Sequence, residues 1–529
     1  MRHTTRRTGT VVLAATLALS LAACSSGGTA SSRSSEEVTS SEPVAGGTLT
    51  YATDVQPQAG GLDPYVSQAF ANFNAIVQIY EPLLAKDNDG EIIPALAESW
   101  EQVDDTTFTF ALRPGVTFSD GTPLTADDVV FSINAMLKPG TTQAQNLTSV
   151  ADVTALDDAT VQITTTAPDA TLVNLLASRG YPIVSKAWYE STSPEDRQTS
   201  AMGTGPFILD TWEDNVSLTY TKNPTYWQEG LPYVDALEFL FVGDETSRAS
   251  QLRQGSGVSV AWFRDPTQVT SLESEGFEVG QNASTRAMYM FVNASEGPLA
   301  DVRVRQAVSK AMDRQMLIDL AMSGKAEPSL VVPAGDPWGI TPDASTPNYT
   351  TDVEGAEALL EEAGQPAPTI SLTYASDAAF ALDVPMIEVL QGQLAEAGIT
   401  LELNPVPWSE VIASYVQGTW TDLLLVPGVY QPDPAAYFAT VLTPGLPMVS
   451  AVTADSPEVE LYTKLRTTMD PAERADILVE LETLVAENVD VLIAYTAPQR
   501  YEVWSDAVAG YVVDPYTYRE GLAATYLVN

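Results

Sequence analysis

Alternation of hydrophobic and polar residues predicts a compact β-β-α unit in residues 107–137. Residues 107–112 alternate threonine or alanine with phenylalanine or leucine, which is the spacing of a strand with one buried face. A proline-glycine turn follows, and Val116–Phe118 is predicted to form a second short strand. Thr125 and Asp128 have the spacing of a capping box, and the apolar residues behind them recur on one helical face.

The same two periodicities alternate along most of the chain. A strand begins after the glycine pair Gly46–Gly47, and hairpin strands are predicted at 153–166. Later helices are predicted at 301–312, 313–322, 356–364, 387–398 and 472–487, and later strands at 399–403, 423–426 and 489–495. Strands and helices that alternate over two such blocks predict α/β lobes.

The N-terminal segment, residues 1–23, has the pattern of an export signal. Three arginines precede an apolar run, Val11–Ala23, which is shorter than the about 20 residues that span a bilayer. The run ends in Leu21-Ala22-Ala23-Cys24, which resembles the bacterial lipobox and implies cleavage before Cys24 and lipid attachment to that residue. An ordinary cleavage site with a coincidental cysteine is the alternative. Residues 24–45 have the composition of a disordered tether.

The chain is strongly acidic, with 25 Lys and Arg against 69 Asp and Glu and a formal net charge of −44. Such a surface repels phosphate backbones and anionic lipid headgroups, so the charge argues against nucleic acid as a partner. Two explanations of the acidity stay open. It is either a solubility feature of an exported protein or a means of attracting cationic ligands.

Two residue types are almost missing. The single histidine is His3 and the single cysteine is Cys24. Beyond residue 24, therefore, the sequence excludes Ser-His-Asp and Cys-His catalysis and every Cys/His zinc site, and no disulfide can form within the chain. We expect no catalytic residue, no metal and no cofactor.

Several motifs in a fixed order carry a family resemblance. The strongest are Ala97-Glu98-Ser99-Trp100, Leu112-Arg113-Pro114-Gly115-Val116-Thr117-Phe118 and Asp120-Gly121-Thr122-Pro123-Leu124-Thr125-Ala126-Asp127-Asp128. Further motifs lie at Tyr80–Leu83, Met202–Phe207, Lys222–Trp227 and Asp301–Arg314. Together they resemble solute-binding protein family 5, the peptide/nickel-type binding proteins of ABC importers, over residues 46–529.

The resemblance implies a two-lobed α/β fold of the periplasmic-binding-protein type (type II, cluster C). Lobe I would comprise residues 46–290 and 497–529, with an extra subdomain inserted at about 82–202, and lobe II residues 291–496. The chain would cross between the lobes near 286–293 and 495–500, and these crossings would act as a hinge.

The same resemblance implies an extracytoplasmic binding lipoprotein that captures peptides and delivers them to ABC permease and ATPase subunits. It implies a monomer that is held at the outer face of the cytoplasmic membrane only by lipid on Cys24. One alternative is an oligosaccharide, opine or metal-chelate ligand on the same scaffold. A remote alternative is an extracellular hydrolase that uses the carboxylate pair Asp127/Asp128 or Asp104/Asp105, although adjacent residues point apart.

One loop, Gly428–Phe438, matches the family's ligand loop. By the resemblance, the second aspartate of that loop, here Asp433, pairs with the α-ammonium of the ligand. The alternative is that Asp433 only caps or braces the loop. The first aspartate of the family's loop is replaced by Tyr430, and the stretch 374–384 lacks the arginine that dipeptide binders use for the ligand carboxylate.

Other candidates for ligand contact are aromatic residues and arginines. Trp408, Trp262, Phe263 and Tyr430 could offer flat surfaces to side chains or sugar rings, and packing in the core or at a lobe edge is the alternative for each. Arg286, Arg179 and Arg264 are candidate partners for a carboxylate on weaker grounds.

Overall fold

The computed structural model describes residues 43–66, 70–139, 141, 143–255, 257–281, 284–377, 383–428, 430–498, 500–513 and 522–528. The predicted export signal, Cys24 and most of the predicted tether lie outside these residues. Within the described ranges, no helix is both long enough and apolar enough to cross a membrane.

The described strands are, in chain order, β1 (Thr48–Thr53), β2 (Glu81–Pro82), β3 (Leu84–Lys86), β4 (Ile92–Pro94), β5 (Ala97–Asp104), β6 (Thr107–Leu112), β7 (Val150–Asp157), β8 (Thr160–Thr165), β9 (Pro182–Ile183), β10 (Phe207–Glu213), β11 (Ser217–Lys222), β12 (Ala236–Phe241), β13 (Val260–Phe263), β14 (Glu278–Gln281), β15 (Ser284–Val292), β16 (Thr369–Ala375), β17 (Thr400–Val406), β18 (Leu423–Pro427), β19 (Val491–Pro498), β20 (Tyr501–Trp504), β21 (Val508–Ala509) and β22 (Tyr526–Leu527).

The described helices are α1 (Phe70–Ile76), α2 (Ala126–Met136), α3 (Leu172–Leu176), α4 (Lys186–Ser191), α5 (Pro194–Arg197), α6 (Glu245–Gln254), α7 (Pro266–Ser274), α8 (Val302–Ala311), α9 (Arg314–Met322), α10 (Val353–Glu362), α11 (Val384–Glu396), α12 (Trp408–Gln417), α13 (Pro434–Leu442), α14 (Pro457–Thr467) and α15 (Pro471–Asn488).

The first lobe is built on a sheet in the order β10-β11-β12-β1-β13-β20-β14. Strand β1 is central and pairs in parallel with β12 and β13. Its residues from Leu49 to Thr53 are all buried, because both faces of the sheet are covered.

The second lobe is built on a sheet in the order β17-β16-β18-β15-β19. Alternate residues of β15 enter two different cores: Met288 and Met290 pack on one face, and Tyr289 and Phe291 pack on the other. Strand β19 is buried along its whole length. A strand covered on both faces has a nearly continuous apolar sequence, which explains why Thr496 is the one hydroxyl residue without an aromatic ring in β19.

The inserted unit has a four-stranded sheet in the order β5-β6-β8-β7 with α2 packed against it. The predicted strand at 107–112 and the capping box of α2 are confirmed, since Asp128 accepts hydrogen bonds from the backbone N–H and hydroxyl of Thr125. The predicted strand Val116–Phe118 is instead a narrow loop with one bridge, Thr117 to Pro123. This bridge is flanked by hydrogen bonds from the Phe118 N–H to the Thr122 carbonyl at 2.8 Å and from the Leu124 N–H to the Val116 carbonyl at 3.0 Å, and the pairing extends no further as a named strand.

Three of the sequence motifs meet at one buried carboxylate, Glu81. Its oxygens accept hydrogen bonds from the Thr204 hydroxyl at 2.8 Å, the Tyr226 hydroxyl at 3.0 Å and the Trp227 indole N–H at 2.9 Å. Beside it, a Cβ added to Gly203 would lie 2.1 Å from the carbonyl oxygen of Ile79, so only glycine fits that position. The motifs therefore specify one packed junction in the first lobe.

The chain passes between the two main sheets twice, once between Gln281 and Ser284 and once between Pro498 and Tyr501. The second passage adjoins the range predicted for it, 495–500. The first lies before the predicted range 286–293, because β15 is already paired with β18 and β19 there.

Candidate ligand-binding cleft

The candidate site lies at the carboxyl edge of the second lobe's sheet. Strand β16 pairs in parallel with both β17 and β18, so the loops that follow these three strands emerge at one edge of the sheet. Strand β15 begins at this edge and β19 ends there, since Arg286 pairs with Ala497 and Met288 pairs with Pro427.

In the first lobe, the carboxyl ends of β13 and β14 lie beside the two places where the chain passes between the lobes. Phe263, the last residue of β13, pairs with Tyr501, the first residue of β20, and Gln281 also pairs with Tyr501. Both passages between the lobes therefore adjoin the carboxyl ends of parallel strands, which is where open α/β sheets bind ligands.

Asp433 occupies the end of the loop that follows β18, and it caps α13. Its carboxylate accepts hydrogen bonds from the Ala435 N–H at 2.9 Å, the Arg474 guanidinium at 2.5 Å and the Asn174 amide at 2.8 Å. The residue is 1% exposed. Its charge is thus balanced within the protein, and its contact with Asn174 of α3 joins the loop to the inserted unit. This arrangement has the features of the bracing alternative, and the pairing with a ligand ammonium stays a prediction.

Lys86 extends from β3 of the first lobe to the same loop. Its ammonium donates to the Pro432 carbonyl at 2.7 Å and lies 3.4 Å from the Tyr430 hydroxyl. Burial lowers the pKa of Lys86, while the nearby carboxylates of Asp336 and Asp433 act in the opposite direction. Tyr430 is half-buried at this contact between lobes.

Asp336 is a second acid of this cluster. It accepts from the Trp338 N–H at 3.0 Å and from the Tyr437 hydroxyl at 3.3 Å. Burial raises the pKa of Asp336 to about 6, against the opposing effects of those bonds and of Lys86. The indole of Trp338 also lies 5.4 Å from the Arg474 guanidinium carbon. Sequence reasoning found Tyr430 and Asp433 but missed the other cluster members, which come from remote segments without a shared motif: Lys86, Asn174, Asp336 and Arg474.

Arg286 has an internal partner at the same edge of the sheet. One of its terminal nitrogens lies 2.8 Å from each carboxylate oxygen of Asp383, directly before α11. The buried hydroxyl of Tyr495 has no hydrogen-bond partner among the described residues, and its pKa is raised by burial and by Asp383. Arg286 thus stands near the segment that lacks its own arginine, and its contact with a ligand carboxylate stays a prediction.

The aromatic candidates separate into two groups. Trp262 and Phe263 belong to β13 and are buried in the first lobe's cores. The guanidinium carbons of Arg264 and Arg500 lie 5.3 and 5.6 Å from the centre of the Trp262 ring. Trp408 is half-buried at the start of α12 and packs against a core of the second lobe.

The remaining weak candidates have contacts of their own. Arg264 lies 3.5 Å from Asp54, and the Arg179 guanidinium stacks 4.6 Å from the Phe73 ring. Both oxygens of Asp128 accept backbone or hydroxyl hydrogen bonds, from Thr125 and Lys186. Among the described residues, no group of three or more acidic, histidine or cysteine side chains is placed to hold a metal ion. The charged and hydrogen-bonding side chains at this edge of the sheet are suited to binding a polar ligand.

Comparison with known proteins shows which family the chain resembles. Residues 91–446 match the family model described as bacterial extracellular solute-binding proteins, family 5 Middle. The chain is 30% identical to the probable di/tripeptide-binding protein 5 of Pseudomonas aeruginosa over 70% of this chain and 74% of that protein. It is 26% identical to the dipeptide-binding protein of Escherichia coli over 88% of this chain and 92% of that protein.

A solved structure extends the likeness to the whole fold. The binding protein AgaA of A. tumefaciens R10, in complex with agropinic acid, superimposes with a TM-score of 0.76 at 25% identity over 91% of this chain and 99% of that chain. The fold is therefore the two-lobed type II periplasmic-binding fold, and the chain belongs to family 5 of the bacterial extracellular solute-binding proteins.

Proposed function

We propose that this protein captures short peptides between its two lobes and delivers them to the permease of an ABC importer, without chemistry of its own. The observation that carries the proposal is the position of both lobe passages at the carboxyl edges of the two sheets, so that closure encloses a ligand there. The relatives named for dipeptide and di/tripeptide binding support peptide as the ligand class.

Peptide binding is expected to stabilise the folded protein. A ligand present at 100 times its Kd and bound only by the folded state adds about 2.7 kcal/mol, which raises the unfolding temperature. We expect this shift with trialanine and with dialanine in a thermal-shift series, followed by titration calorimetry to obtain Kd. N-acetylated trialanine is the matched control, because it lacks the ammonium group. A shift produced by saccharides or opines alone would reject the peptide assignment.

Binding is also expected to close the lobes. Small-angle scattering of the same samples should give a smaller radius of gyration with trialanine than without it, because the lobes rotate toward each other about the two passages. The acetylated peptide should reduce the radius only at concentrations at which the thermal shift shows that it binds. Confirmed binding with an unchanged radius would indicate a rigid pocket.

We also propose that the protein is an exported lipoprotein anchored through Cys24. The motif Leu21-Ala22-Ala23-Cys24 after an apolar run is the support, and two acyl chains on one residue suffice for stable anchoring. Cys24→Ser is expected to move the protein from the membrane fraction to the soluble fraction. Ser25→Ala is the control and should stay with the membranes. A Cys24→Ser variant that still sediments with membranes would show a different anchor.

A further inference from the structure

A cavity between the inserted unit and the second lobe is separate from the cluster around Lys86. It contains about 340 Å³ of space and opens to solvent. This volume lies within the range of small-molecule sites. Its walls come from residues 145–148, the α3 segment, α13 and α14.

Contacts between the two lobes hold these walls in place. The Ala170 N–H donates to the Arg466 carbonyl at 2.8 Å, and the Asn174 amide donates to Asp433 at 2.8 Å. Gln431 and Ala435, on either side of Asp433, both line the cavity. The cavity therefore shares the loop of the candidate site, and it is shaped by the approach of the lobes.

The charge of the lining is unusual for this chain. Arg466 is the one charged side chain among the described lining residues. The uncharged polar lining residues include Asn146, Thr171, Thr440 and Thr443. Among the described residues, no carboxylate lies within 4.0 Å of its guanidinium, whose central carbon lies 5.9 Å from the centre of the Tyr462 ring. In a protein with 69 acidic and 25 basic residues, a cationic side chain without an acidic partner in a neutral cavity selects an anionic group.

We infer that this cavity is a subsite for the carboxylate-bearing part of a peptide ligand, with Arg466 as its charged partner and the surrounding hydroxyl and amide groups as further donors. The inference rests on the proposed peptide function. A guanidinium binds a carboxylate through paired hydrogen bonds, and neutral donors around it complete the shell. The subsite takes over the role of the arginine that residues 374–384 lack.

The test compares the affinity of peptides that differ only in the carboxylate. Trialanine is expected to bind the wild type about 10- to 150-fold more tightly than trialanine amide, the usual effect of a hydrogen bond to a charged group. Arg466→Gln should bring both affinities to the level of the amide on the wild type, whereas Arg466→Lys should keep part of the preference. Lys464→Gln, on the exposed side of the same helix, is the matched control and should keep all of it.

A third ligand, Ala-Glu-Ala amide, separates the two sources of a carboxylate. If Ala-Glu-Ala amide binds more tightly than trialanine amide, and Arg466→Gln abolishes this difference, the subsite binds an acidic side chain. If only trialanine binds more tightly than trialanine amide, the subsite binds the C-terminal carboxylate. An undiminished preference for the free acid in Arg466→Gln, with an unchanged unfolding temperature, would overturn the subsite and leave the peptide function intact. Failure of the wild type to bind any of the three peptides would overturn both.

Discussion

Replacement of Glu81 by alanine is expected to destabilise the first lobe by about 3 kcal/mol. The carboxylate is fully buried and accepts from Thr204, Tyr226 and Trp227. Removing it takes the acceptor from the buried Thr204 hydroxyl, and a buried unsatisfied group costs about 1–3 kcal/mol. The half-buried Tyr226 hydroxyl and Trp227 indole lose the same acceptor and add a smaller cost. The effect should appear as a lower unfolding temperature and as a lower denaturant midpoint.

Two variants bracket this expectation. Glu81→Gln keeps one carbonyl acceptor and should lose less stability than the alanine variant. Glu98→Ala, at an exposed position of β5, should leave the midpoint unchanged. An unchanged midpoint for Glu81→Ala would mean that water or other groups satisfy the three donors, and that the motifs do not depend on this junction.

The same junction shows what the sequence can predict. The β-β-α unit depends on local periodicity and a local cap, so the strand at 107–112, the capping box and α2 follow from neighbouring residues. The motifs around Glu81, Thr204 and Trp227 are also visible as words in the sequence. Their meeting point is not, because the partners lie 123 and 146 positions from Glu81 and nothing local specifies that pairing.

The candidate site shows the same division. The loop ending at Asp433 follows a predicted buried strand, and a carboxyl-edge loop could be expected there. The partners of Asp433 are 41 and 259 positions away, so its charge balance is a property of the tertiary fold. The four-residue run Val260–Phe263 did carry a usable signal: a short, wholly apolar strand indicates burial on both faces, which is where Trp262 and Phe263 lie.

Loss of the ion pair between Asp433 and Arg474 is expected to destabilise the second lobe strongly. Both side chains are almost fully buried, and Arg474 also donates to the Leu465 carbonyl at 2.8 Å. Removing one partner of such a pair leaves an uncompensated charge and costs about 3–5 kcal/mol. Arg474→Met keeps a good helix former in α15 and is expected to lower the unfolding midpoint by that amount.

The double variant Asp433→Asn/Arg474→Met is expected to be more stable than Arg474→Met, because it removes the stranded charge. Arg253→Met, which breaks a bidentate ion pair with Glu275 at the surface, should lower the midpoint far less than Arg474→Met does. Equal stability of Arg474→Met and the wild type would mean that Lys86 and Asn174 already compensate Asp433.

Peptide affinity in Arg474→Met then decides between the two roles of Asp433. If the carboxylate pairs with the ligand ammonium, loss of its arginine partner leaves it free to do so. The ratio of the affinity for trialanine to the affinity for N-acetylated trialanine should then be larger in Arg474→Met than in the wild type. If Asp433 only braces the loop, the ratio of the two affinities should not change, and both affinities should fall together as the loop loses its support. A calorimetric titration of each peptide, below the unfolding temperature of the variant, measures that ratio directly. The double variant Asp433→Asn/Arg474→Met has no carboxylate at position 433 and should show no increase in the ratio.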